Sequence, residues 1–156
     1  MYINYFLMVV SFFGLSIWLY IKYLDIIFLD MNHIEFSLIA SIFYMLSETI
    51  IMFYFIATGK NIKQFIIDNN LDIKSYNNIL KMKMKLFPHI MINMVLVGTI
   101  FVIGGAIYNS IIDVWQFNLL FVFTIFHYSY LVVIQHNSFK ENTELVIDLY
   151  RNANLK

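Results

Sequence analysis

Four long apolar runs divide the chain, over residues 2–23, 34–58, 87–110 and 114–135. A bilayer's hydrocarbon core is about 30 Å thick and takes about 20 mostly apolar residues of helix to cross. Each run therefore predicts one transmembrane helix. Strands of a membrane β-barrel would show about ten residues of strict alternation, and these runs are longer and unbroken. The first run carries no basic leader, no short apolar segment and no small-residue cleavage site of a removable signal peptide. It is expected to stay in the membrane.

The polar segments set an orientation. Asp25, Asp30, His33 and Glu35 separate the first two runs, with Lys22 the one basic residue beside them. Lys60, Lys63, Lys74, Lys81, Lys83 and Lys85 lie between the second and third, and Lys140, Arg151 and Lys156 follow the fourth. The turn around Asp113 has no basic residue. Nine of the ten basic residues thus fall on one side, which the positive-inside rule makes the cytoplasm, or the matrix of an organelle. Both termini are expected there. Between Asp72 and Leu86, a stripe of Ile73, Tyr76, Leu80 and Met84, continued by Phe87, opposes Lys74, Asn78, Lys81 and Lys85. This pattern predicts an amphipathic helix over 72–86 lying in the headgroup plane, with Pro88 where the chain turns into the third span. Phe139, Val146, Leu149 and Tyr150 predict a weaker copy over 137–152.

Composition agrees. Of 156 residues, 61% are hydrophobic and 13% charged, against about 45–50% and 25% in soluble domains; mean hydropathy is +0.74. The fold class expected is an all-α polytopic membrane protein, four antiparallel helices in an up-and-down bundle forming one domain with interfacial helices. Ten basic and ten acidic residues give zero formal charge, which argues against nucleic acid as a partner. With no cysteine, disulfides, thiolate metal sites and Cys nucleophiles are excluded. No P-loop, nucleophile elbow or HExxH motif occurs, so no catalytic residues are assigned.

Polar residues inside the runs mark the candidate sites. Ser37, Ser41, Tyr44 and Glu48 recur at i, i+4, i+7 and i+11, one face of the second span. A charge at mid-helix costs about 2.5–3.5 kcal/mol on insertion scales, so this face should point into the bundle. His127, with Thr124 and Gln135 on its side of the fourth span, is expected at the same depth as Glu48. The two would share a proton or a cation. His89 and Asn93, one turn apart on the third span, lie at the level of His136. Two histidines on adjacent antiparallel helices match the needs of bis-imidazole ligation of haem b, with Asn93 in support. Glu48, His89, His127 and His136 are the candidate metal ligands. Gly98, Gly104 and Gly105 on the third span, and Ser11 and Gly14 on the first, predict close helix contacts. Tyr20, Tyr23, Trp115 and Tyr150 fit an interfacial aromatic belt.

Three functions fit this pattern. One is a haem- or metal-binding subunit for electron transfer or sensing, with Glu48, Tyr44 and His127 tuning potential or moving a proton. Another is a non-catalytic subunit of a larger membrane complex. The third is a small oligomeric carrier coupled to protons or ions through Glu48. Each sits in a bacterial or archaeal cytoplasmic membrane, or an organelle inner membrane, with other membrane subunits or further copies of itself as partners.

Overall fold

The computed structural model describes residues 2–24, 33–69, 71, 74–108 and 111–154. They form four helices: α1 (Tyr2–Leu24), α2 (His33–Asp68), α3 (Lys74–Tyr108) and α4 (Val114–Asn154). No strand occurs among the described residues. Helices adjacent in sequence pack side by side, and α1 closes the bundle with a lesser contact on α4. The protein is an all-α bundle. Three of its helices, α2, α3 and α4, are long and apolar enough to cross a membrane. In α1 the described apolar stretch is shorter, Asn4–Ile17.

Most buried positions follow one rule in every helix. Asn4, Met8, Ser11 and Leu15 on α1 are spaced four, three and four apart. The same alternation carries Ser37, Ser41, Tyr44, Glu48, Ile51 and Phe55 on α2 and Ile79, Met82, Leu86, Ile90, Asn93, Val97 and Ile100 on α3. On α4 it carries Phe117, Phe121, Thr124, Tyr128, Leu131, Gln135, Ser138 and Asn142. A three–four spacing keeps one narrow seam turned toward neighbours, as in coiled-coil packing. Within the apolar runs most of the residues between are large and apolar, among them Phe53 at 64% exposure and Phe126 at 72%. An apolar exterior around a partly polar seam suits lipid rather than water as the surrounding solvent.

The segments expected to lie flat do not form separate helices. Residues 74–86 are the first part of α3, and 137–152 the last part of α4. Ile73 and Asp72 lie outside the described residues. At 1.5 Å per residue, the 35 residues of α3 span about 53 Å and the 41 of α4 about 62 Å, well beyond a bilayer core. Their ends join the end of α2 around a small second core: Ile62, Ile66, Ile79 and Leu149, with Phe65, Tyr76, Leu145 and Val146 against it. Of the stripe expected to meet lipid, Leu80 and Met84 are exposed at 38% and 68%, whereas Ile79, Met82 and Leu86 are buried. The buried face is a different one from the stripe expected, and it packs into the two cores. Pro88 stands inside α3 rather than at a turn, leaving the Met84 carbonyl without its helical donor.

Close approaches also need revision. A Cβ on Gly98 would come within 3.2 Å of Met45 on α2, and one on Gly104 within 3.5 Å of Phe117 on α4. At Gly14 and Gly105 an added Cβ would meet nothing within 4 Å. Tyr150, expected in the belt, packs its ring 4.7 Å from that of Phe65 in the second core, while Trp115 is 62% exposed at the start of α4. The side chains of Tyr20 and Tyr23, with Lys22, Asp25, Asp30 and His33, lie outside the described residues.

Candidate functional site

Seam positions of α2, α3 and α4 bring a set of polar side chains into the interior. Asn93 bridges three helices: its Nδ2 donates to the Tyr44 hydroxyl at 2.6 Å, and its Oδ1 lies 2.8 Å from Nδ1 of His127. Asn93 is 0% exposed and Tyr44 1%. With the amide nitrogen committed to Tyr44, its oxygen must accept, so His127 donates through Nδ1. In the neutral ring this leaves Nε2 as the basic nitrogen. His127 is half-buried, with its ring 5.7 Å from that of His89, which also meets the Tyr130 ring edge-on at 5.3 Å. His89 Nδ1 is buried without a hydrogen-bond partner.

Glu48 does not pair with His127. Its Oε2 accepts from Nε2 of Gln135 at 2.5 Å, and both residues are 0% exposed. Glu48 Oε1 and Gln135 Oε1 are each buried and lack a donor. The predicted level was eight residues off along α4, about 12 Å of helix. Tyr44, one turn before Glu48, sets its ring 5.3 Å from Tyr128, edge to face. The Tyr128 hydroxyl in turn donates to the Met8 carbonyl at 3.1 Å, tying α4 to α1.

His89 and His136, expected as one pair, serve different neighbours. His136 is exposed and hydrogen-bonds Tyr5 of α1 at 3.0 Å through Nδ1. His89 faces His127 across α3 and α4. Axial ligation by this pair would need both imidazoles on one iron axis. Among the described residues no group of three or more His, Asp or Glu side chains is gathered as for a metal ion. Asn93, expected behind a ligand of His89, instead supports His127.

Gln135 and Tyr128 are the residues that sequence reasoning underused. Gln135 was visible as a polar residue eight positions from His127 on the same face. Its partnership with Glu48 depended on the axial register between α2 and α4. Asn142 was missed altogether; it reaches toward the Tyr54 hydroxyl at 3.4 Å, one step further along that register. Comparison of the chain with known protein families, curated proteins and solved structures gives no match.

Proposed function

We propose that the protein is a four-span membrane subunit, with both termini on the cytoplasmic or matrix side, whose interior holds an exchangeable proton on Glu48. The observation that carries this reading is the Glu48–Gln135 pair. Its single amide donor leaves two fully buried acceptor oxygens unsatisfied. A buried interhelical hydrogen bond is worth about 0.6–1.7 kcal/mol in a membrane protein. An ionised side chain at mid-membrane costs about 2.5–3.5 kcal/mol or more. The cost wins, and a carboxylic-acid proton supplies the donor the pair lacks. His127, half-buried beside His89 with Nε2 as its basic nitrogen, is the second titratable group of the same interior. Tyr44 and Asn93 tie it to the Glu48 face. Proton uptake at one group would then be felt at the other through their shared packing, as a small carrier or a proton-linked subunit requires.

Infrared spectroscopy of the reconstituted protein tests this. A carboxylic-acid C=O band should be present at neutral pH, shift in heavy water, vanish in Glu48→Gln and change frequency in Gln135→Leu. A spectrum in which Glu48→Gln removes only carboxylate bands would sink the proposal.

A second reading, an accessory subunit without chemistry of its own, draws support from the long extension of α2, α3 and α4 around its own core. Blue-native migration at the size of a larger complex, together with an infrared spectrum lacking the acid band, would favour it. The cofactor reading has its own measurement. A Soret band or stoichiometric metal in protein purified after growth with ample haem and iron, lost in His89→Ala, would establish it.

A further inference from the structure

Four lysines of the extension form two pairs by what they face. Lys81 and Lys85 line a groove of about 550 Å³ whose other wall on α4 carries Glu141, Glu144 and Asp148. Lys63 and Lys83 enter the opposite seam, between α2 and α3. Lys63 places its ammonium 5.6 Å from the centroid of the Tyr76 ring. Lys83 lays its side chain against Gly59, its Nζ where a Cβ on that glycine would stand, with Ile79 beside it. Gly59 is buried one turn before Lys63 on the same face of α2.

Lys63 is exposed at this seam, with its ammonium over the Tyr76 ring. Lys83 is half-buried, and among the described residues neither it nor Lys63 has a carboxylate partner. The ion pair that is formed, Lys140 with Glu144 at 3.9 Å, belongs to α4. Glycine within a helix is a poor helix former; at position 59 it makes room for the ammonium. The depth is fixed by the apolar runs. Gly59 follows the end of the second run and Lys83 precedes the start of the third by four residues, which is headgroup level. Basic pockets between membrane helices on the cytoplasmic side suit anionic lipid.

We propose that the α2–α3 seam binds the phosphate of one anionic phospholipid headgroup between Lys63 and Lys83, over Gly59. The proposal rests on the membrane placement given above and is independent of the proton on Glu48.

Native mass spectrometry of the full chain in neutral detergent, titrated with dioleoyl-phosphatidylglycerol or dioleoyl-phosphatidylcholine, reads the site directly. Wild-type protein should retain one phosphatidylglycerol at concentrations where phosphatidylcholine leaves no adduct. Each of Lys63→Gln and Lys83→Gln should weaken retention about fivefold. The double change Lys81→Gln/Lys85→Gln removes the same charge from the other face and should leave retention within about twofold. Gly59→Ala displaces the flexible end of Lys83 and presses on Ile79 Cγ2 at 3.2 Å; the gain in helix propensity offsets part of that crowding, so the variant should fold close to wild type and still lose lipid. The proposal is overturned if the Lys63/Lys83 double variant binds as wild type does, or if the Lys81/Lys85 variant loses as much. It is overturned as well if millimolar inorganic phosphate displaces the lipid from wild type, since the seam would then be a site for a soluble anion.

Discussion

Replacing Asn93 with Ala should be the most damaging small change in the membrane interior. The side chain is 0% exposed and makes two interhelical hydrogen bonds, to Tyr44 at 2.6 Å and to His127 at 2.8 Å. At about 0.6–1.7 kcal/mol for each membrane-embedded bond, their loss alone comes to about 1–3 kcal/mol. The Tyr44 hydroxyl, 1% exposed, is left without the amide donor, which adds toward the upper end. An overall loss of about 2–4 kcal/mol is expected. Tyr44→Phe removes one of the two bonds and should cost about 1 kcal/mol. Because the Tyr44–Asn93 bond is counted in both single changes, the double variant should fall short of their sum by about 1 kcal/mol. Unfolding of reconstituted protein by a denaturing detergent, followed by far-ultraviolet circular dichroism, measures all three. Strict additivity, or a loss below about 0.5 kcal/mol for Asn93→Ala, would show that the bridge does not exist and that α2, α3 and α4 are held by apolar packing alone.

The Glu48–Gln135 contact predicts strong coupling in a Glu48→Gln/Gln135→Ala cycle, whereas Glu48→Gln with His127→Phe should couple more weakly, because those two are linked only through Tyr44 and Asn93. Phe139→Ala should cost about 3–5 kcal/mol in the same assay, since the ring is 0% exposed and packs against Tyr5, Tyr54 and Phe55 at 5.1–5.6 Å. Gly98→Leu should separate α2 from α3 and destabilise the bundle, while Gly98→Ala should be mild because its neighbour is the flexible end of Met45; equal effects would refute the close approach. A cysteine introduced at exposed Asn78 or Asn152 should react with an impermeant reagent only after the inner membrane face is opened, and ready labelling in intact cells would reverse the orientation.

Much of the architecture was legible in the chain because a bilayer imposes coarse rules. Long apolar runs ending at lysines and aspartates foretold the α2, α3 and α4 windows, since length and composition suffice for that. The face carrying Ser37, Ser41, Tyr44 and Glu48 was readable too, because four polar residues at three–four spacing have one inexpensive place to go. Helical periodicity nevertheless pointed to the wrong face over 74–86. Leu80 and Met84 look as apolar as Ile79 and Met82, and only the packing of neighbouring helices covers the latter, Ile79 among Ile62, Ile66 and Leu149 and Met82 in the main core.

What the tertiary structure decided is register. An apolar run gives each helix a depth to within a few residues, because its ends are set by where charges fall and not by what the neighbouring helix offers. The partners of Glu48 and His127 depend on an axial shift of eight residues, which costs nothing that hydropathy can detect. Glu48 therefore meets Gln135, His127 meets Asn93, and His136 turns to Tyr5. Gly59 is the same lesson at the membrane surface: the sequence shows a glycine beside a lysine-rich loop, and only the packing of α3 on α2 makes it a seat for the Lys83 ammonium. Local chemistry along one chain fixes which residues must be buried. The pairings among them arise between helices, where side-chain shape and hydrogen-bond direction choose one alignment from several of nearly equal hydrophobic cost.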